Sequence, residues 1–351
     1  AKKKKRKKKK RQRRKGRNNA GGGNGGGNGD GGGGNNECRF DICDGLCVDL
    51  GTDPRHCGVC GNRCAAGEVC RREFCVREIT GVSSPAGVAG AGENRFVVMA
   101  TGDAQGVVVD DARIVSTFGS PGAGPGQLRF PTGVAFDQAD GSFLTVDTQT
   151  SSALRFDATG TFLAAFGSFG SGVDQFEFPE GVAIDAVTRQ IFVLDTGNGR
   201  VQRFSETGFP LGRFGRTGSG EGEFRGPRGI AIDANRNVIV ADTGNNRVQV
   251  LDQAGRVLRV FGQAGSGEGE FNAPAGVAVT QGGTIVVADS GNDRLQFFLP
   301  DGTFAGALGE TGKEPGDFNR PTGVVELPIG LLVVADLGND RVQLLRLTPR
   351  P

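Results

Sequence analysis

An internal repeat of 47–48 residues limits this chain more than any other feature. Phe118-Gly119, Phe166-Gly167, Phe214-Gly215, Phe261-Gly262 and Leu308-Gly309 recur at spacings of 48, 48, 47 and 47 residues. Each is followed at one offset by Pro-x-Gly-Val/Ile, at Pro131, Pro179, Pro227, Pro274 and Pro321, and Pro85-Ala86-Gly87-Val88 adds a sixth copy. A third landmark, Asp-x-Gly-Asn-x-Arg-(Val/Leu)-Gln, is intact at 195–202, 242–249, 289–296 and 336–343. It has decayed at 100–107 and 147–154. Such self-similarity means one supersecondary unit stacked on copies of itself.

The unit is a sheet. Gly229–Asp233, Val238–Asp242, Arg247–Asp252 and Val257–Phe261 alternate or run apolar over a few residues between Gly, Asp and Asn turns. No helical periodicity competes with them. Four strands per repeat is a propeller blade. The spacing therefore predicts an all-β fold, a six-bladed β-propeller over residues 76–351. The last copy runs out at Leu347 after its third strand. Val76–Thr80 aligns with the start of Val257–Phe261, so it is expected to supply the missing strand and close the ring.

The rest of the chain divides by composition. Residues 1–17 hold fourteen Lys/Arg and no acid, which leaves 27 basic against 39 acidic residues in the remainder. A polybasic tail with nothing apolar to bury is expected to be disordered. Residues 18–36 are a Gly/Asn-rich linker, with a reach on the order of 20–25 Å. Residues 37–75 contain all eight cysteines: Cys38, Cys43, Cys47, Cys57, Cys60, Cys64, Cys70 and Cys75. An even number in so short a segment predicts a disulfide module and an oxidising compartment. Cys57 and Cys60 with His56 form a single C-x-x-C knuckle, whereas a four-thiolate zinc site usually has two. No apolar run approaches the ~18 residues that span a membrane. A secreted or cell-surface location is expected, with an upstream leader removed.

The repeat FGRTGSGEGEFRGPRGIAIDANRNVIVADTGNNRVQVLDQAGRVLRV resembles the NHL repeat over residues 76–347. That resemblance implies an NHL-type six-bladed propeller. Family members often carry His after the turn Asn; here that slot holds Gly199, Asn246, Asp293 and Asp340, which weakens any carry-over of histidine-dependent functions. The segment CVDLGTDPRHCGVCGNRCAAGEVCRREFC resembles the stigma-specific-protein-like modules of secreted proteins.

The Asp-x-Gly-Asn-x-Arg element falls on the turn between the second and third strands. It reads as scaffold, with each Arg expected to pair with a neighbouring blade's Asp. The alternative is a calcium ring of Asp195, Asp242, Asp289 and Asp336, which Ala100 would leave incomplete. Neither a metal nor a cofactor is expected. Strand parity places the long loops before each Pro-x-Gly on the same face. These loops carry ten acids against six bases, the wrong sign for gripping phosphates. This weighs against specific nucleic-acid binding. The face is expected to bind an extracellular protein or polysaccharide. Candidate contacts are Arg200, Arg216, Arg225, Arg228, Asn246, Arg247, Asp293, Arg294, Arg320, Asp340 and Arg341.

The propeller contains no His, Cys or Tyr, which removes the common nucleophile pairs, imidazole chemistry and phenolic acids. On that ground the chain is expected not to be an enzyme. Residues 2–17 are expected to attach to an anionic surface or polymer, at roughly 1 kcal/mol per basic residue near a charged membrane. Two alternatives remain open. One is a polyanion- or nucleic-acid-binding protein acting through the tail; the other is an enzyme of unknown chemistry on the propeller face.

Overall fold

Each repeat folds into an antiparallel sheet whose strands follow one another in sequence from the axis outward. The computed structural model describes residues 41–43, 46–49, 51–54, 56–57, 63–71 and 74–346. The expected tail at 1–17, the linker at 18–36, Cys38, Cys60 and the side chains of Cys43 and Cys47 lie outside the described residues. In blade 4 the strands are Gly229–Ile232, Val238–Asp242, Arg247–Leu251 and Val257–Phe261, within one residue of the sequence reading. Five blades have four strands in this order, and the sixth has five. Among the described residues no helix is long and apolar enough to cross a membrane.

The hydrophobic pattern along a blade follows each strand's distance from the axis. Second strands touch a neighbouring blade on both faces, so Val238–Asp242 and Ile285–Asp289 are buried at every position. The outermost strands reach solvent, and Phe162–Phe166 is exposed at its three central residues. The apolar cores lie between blades. Ile239, Val248, Phe271, Val287 and Phe298 fill the space between blades 4 and 5. Ile79, Phe96, Val98 and Val333 do the same between blades 6 and 1.

Two glycine positions make the stacking possible. The glycine of each Phe-Gly pair has a left-handed backbone, with φ of 87° at Gly215 and 88° at Gly262. Any Cβ there would lie 2.5 Å from the Phe224 ring or 2.3 Å from the Phe271 ring. The glycine of each Pro-x-Gly is needed for space. A Cβ on Gly229 or Gly276 would meet the next blade's carbonyl oxygen, on Ala275 or Thr322, at 2.2 and 2.1 Å. Gly323 stands in the same relation to Ala86 at 2.4 Å, which closes the circle.

Closure occurs where the sequence places it. Phe74–Thr80 pairs antiparallel with Arg341–Arg346, from Arg341 opposite Thr80 to Arg346 opposite Cys75. The expected boundary at 75/76 therefore falls inside a strand. Val69–Arg71 adds a fifth strand on the outer edge of Phe74–Thr80. Disulfides Cys57–Cys70 and Cys64–Cys75 staple this hairpin, and Glu68 forms an ion pair with Arg346 at 3.1 Å.

Candidate functional site

The Asp-x-Gly-Asn-x-Arg-Val-Gln element is scaffold throughout. Arg247 donates from Nε to Asp242 at 2.7 Å and from its two terminal nitrogens to the carbonyls of Ser219, Gly220 and Glu223. Gln249 Nε2 bonds the same Glu223 carbonyl and Asp242. Asn245 Nδ2 reaches Gly218 O and Asp242. The motif thus fastens the long loop of its own blade. The expected pairing of each of these Arg residues with a neighbouring blade's Asp is incorrect, because strand register puts Asp242 opposite Arg247. Asp195, Asp242, Asp289 and Asp336 are fully buried and each bound by its own Arg, at 2.6–2.8 Å. They do not form a ring at the channel. Cross-blade Arg–Asp pairs exist at the other end of the strands. Arg189 bonds Asp137 at 2.9 Å, and Arg236 bonds Asp185 at 2.8 Å.

The decay of the motif in blade 1 has a physical cause. Only Gly81–Ser84 separates the closing strand from Pro85, so there is no long loop to fasten. Blade 2 keeps the Asp alone: Asp147 accepts from the amides of Arg129 and Phe130.

A second repeated bond went unread in the sequence. The residue after the Asp position, which Ala100 fills in blade 1, donates its hydroxyl to the next blade's proline carbonyl. Thr101 reaches Pro131, Thr148 Pro179, Thr196 Pro227, Thr243 Pro274 and Ser290 Pro321, all at 2.7–2.8 Å. In the last blade Leu337 occupies that position, and Thr322 bonds Pro85 O at 3.1 Å.

These bonds hold the six Pro-x-Gly elements in a circle around an axial cavity of about 440 Å³. Its wall is apolar, from Val88, Val134, Val182, Ile230, Val277 and Val324. The x residues form its mouth: Ala86, Thr132, Glu180, Arg228, Ala275 and Thr322. One ion pair lies there, Glu180 to Arg228 at 3.1 Å, with Arg228 half exposed. Burial pushes the Glu180 carboxyl above its ordinary value, and Arg228 only partly opposes that. Outside the mouth stands a collar formed by the residues before each proline. Two of these are exposed phenylalanines in consecutive blades, Phe130 and Phe178, and Phe130 also lines the cavity.

The eleven candidate residues separate into three groups. Arg200, Arg247, Arg294 and Arg341 point inward and fasten loops, with 6–15 % of their side-chain surface exposed. Guanidinium groups held this way, mostly out of solvent and spent on loop carbonyls and an aspartate, brace the fold, and their place in the candidate set is corrected accordingly. Asn246, Asp293 and Asp340 accept from the collar amides of the next blade, Ala273, Arg320 and Ser84. They too are connectors. Arg216, Arg225, Arg228 and Arg320 remain exposed on the loop face, and of these Arg228 lines the mouth. Glu180, Phe130 and Phe178 were missed. Their signal was variation at fixed places: the repeat holds Pro and Gly constant while the residues beside them change.

Residues 176–204, 224–251 and 271–298 match the NHL repeat. Residues 26–78 match the stigma-specific STIG1-like protein family. The chain thus carries NHL repeats in a six-bladed propeller behind a STIG1-like cysteine-rich segment. No curated protein matches it. Among solved structures it is similar to a gluconolactonase from Xanthomonas campestris, at 15 % identity and TM-score 0.60, over 79 % of this chain and 90 % of that one. It is similar to virginiamycin B lyase from Staphylococcus aureus with quinupristin, at 11 % identity and TM-score 0.56, over 78 % of this chain and all of the other. It is also similar to a streptogramin B lyase, at 12 % identity and TM-score 0.56, over 78 % and 98 %. These likenesses share the fold with enzymes. The expectation that the chain is not an enzyme is corrected by them: it rested on absent residue types, and proteins of this architecture are lyases and a lactonase.

Proposed function

We propose that this propeller is an extracellular ligand-binding module whose ligand sits at the channel mouth. One observation carries the reading. A ring built to be uniform by its prolines, glycines and apolar wall varies at its mouth, where an ion pair and the exposed Phe130 line one cavity and a second exposed ring, Phe178, holds the place equivalent to Phe130 in the next blade. An apolar cavity with a few convergent polar groups is the usual form of a small-ligand site. The disulfides Cys57–Cys70 and Cys64–Cys75 support an oxidising compartment. The test is Ala86→Trp, which fills the mouth from blade 1 and leaves the Glu180 and Arg228 residues themselves unchanged. Full-length protein would be assayed against extracellular proteins and glycans, and the variant is expected to lose binding at unchanged Tm. Retained binding would place the site elsewhere.

A second reading is catalytic. Glu180 is a carboxyl at the mouth of a cavity, raised by burial toward the range useful for general acid–base work. Turnover abolished by Glu180→Gln with binding intact would favour it.

The basic tail is proposed as a tether to anionic surfaces, acting independently of the mouth. Sedimentation with anionic vesicles at low and high salt checks this. Full-length protein should bind steeply less as salt rises, and residues 37–351 should not bind at all.

A further inference from the structure

Building on the proposal that the mouth is the ligand site, we infer that its ligand is a neutral carbohydrate: a hydroxyl-rich ring that stacks on Phe130 and Phe178 and donates hydrogen bonds into the mouth. Three properties of the site lead there.

The first is the direction of its hydrogen bonds. Thr322 at the mouth donates its hydroxyl to Pro85 O, and Thr101 beside it donates to Pro131 O. A hydroxyl that has donated its one proton offers a ligand only lone pairs. The backbone amides of the charged pair are also occupied, Glu180 N by Leu194 O and Arg228 N by Ala241 O. Ionised Glu180 is an acceptor as well. The Arg228 guanidinium is the one strong donor: its Nε faces Glu180, and its terminal nitrogens keep N–H protons for a ligand's oxygens. Apart from that guanidinium, the hydroxyls, carbonyls and carboxylate of the mouth offer a ligand acceptors. Sugar hydroxyls suit it, since each brings a proton. Phosphates and carboxylates bring none.

The second is charge. Glu180 and Arg228 cancel in charge, so neither an anion nor a cation gains net attraction from the pair. A polyol can bridge the pair, accepting from Arg228 while donating to Glu180, and leave it intact.

The third is the collar. Phe130 and Phe178 are 42 % and 52 % exposed, at equivalent places in consecutive blades. The negative face of an aromatic ring attracts the positive C–H hydrogens on the apolar face of a sugar. The Phe178 backbone is left-handed, with φ of 49°, although a proline follows it. Ser84, Ala273 and Arg320 share this left-handed backbone at the same place in their blades, so it belongs to the repeat, and what varies there is the side chain it carries.

The experiment uses full-length protein on a panel of neutral oligosaccharides built from hexoses, N-acetylhexosamines and pentoses. Uronate and sulfated glycans and unmodified peptides complete the panel, read at physiological and high salt. Wild type is expected to retain a neutral glycan at both salt levels. Phe178→Ala and Glu180→Gln should each weaken that retention at least tenfold, and Phe209→Ala, exposed in a turn between outer strands, should not. If neutral glycans bind but Phe178→Ala, Glu180→Gln and Ala86→Trp bind equally well, the mouth is not the site and both proposals fail. If Ala86→Trp abolishes binding of a peptide or an acidic glycan while no neutral glycan is retained, the mouth stands as a site and the carbohydrate inference is overturned.

Discussion

Asp174 shows how closely each loop residue is specified. It occupies the place that Gly126, Gly222, Gly269 and Gly316 hold in the other long loops, with φ of 58° against 72–85° for those glycines. Its Oδ1 is buried without a partner, and burial raises its pKa. Asp174→Gly should therefore stabilise the protein by about 1 kcal/mol, from relief of the left-handed backbone, and raise Tm by a few degrees. The sign with pH follows from the raised pKa. The folded state holds the proton more tightly than the unfolded chain, so stability is fullest below the unfolded pKa and is lost as pH rises through the folded one. The gain from Asp174→Gly should be larger at pH 7 than at pH 3, as thermal denaturation at the two values would show; an equal gain would mean that the carboxyl contributes nothing. At this scale the scaffold motif was legible, because Asp, Gly, Asn and Arg at fixed spacing have few uses besides a braced turn. The direction of each Arg was not. It depends on which residue the strand register sets opposite, and the spacing alone does not distinguish Asp242 from an Asp in the next blade.

At the scale of elements, the strands were readable to within a residue because period and turn chemistry agree over six copies. The loops were not. Read in the sequence only as long, acidic loops, they are folded segments, with Ser168–Phe169 pairing parallel to Gln175–Phe176 and Arg216–Thr217 to Glu223–Phe224. Their order comes from carbonyls captured by a distant arginine, a contact that leaves no local pattern. The inner strands are tied just as closely by the glycine circle. Gly276→Ala should cost about 3 kcal/mol, since its Cβ would meet a backbone oxygen that can move only with its blade. Gly306→Ala is the control: nothing lies within 4 Å of that Cβ, and the outer strand should tolerate it. Denaturant midpoints would check both. Similar small effects would mean that the circle is loose.

On the scale of the molecule, the ring is held by one non-sequential pairing. Val76 and Ile79 are buried in the cores on either side of blade 6, worth about 3–6 kcal/mol together. Deleting residues 76–80 should lower Tm by about 10 °C and broaden the transition; an unchanged Tm would mean that closure is dispensable. The closing strand also has a history during synthesis. It leaves the ribosome more than 260 residues before its partner at Arg341–Arg346, an interval of roughly 15–55 s at ordinary translation rates. In the folded protein its other edge is covered by Val69–Arg71 and fixed by Cys64–Cys75, a local pairing that needs only residues made before the wait begins. A hairpin formed in this way would leave the closing strand one open edge instead of two, and the first-made strand of the propeller is the one that seals the ring.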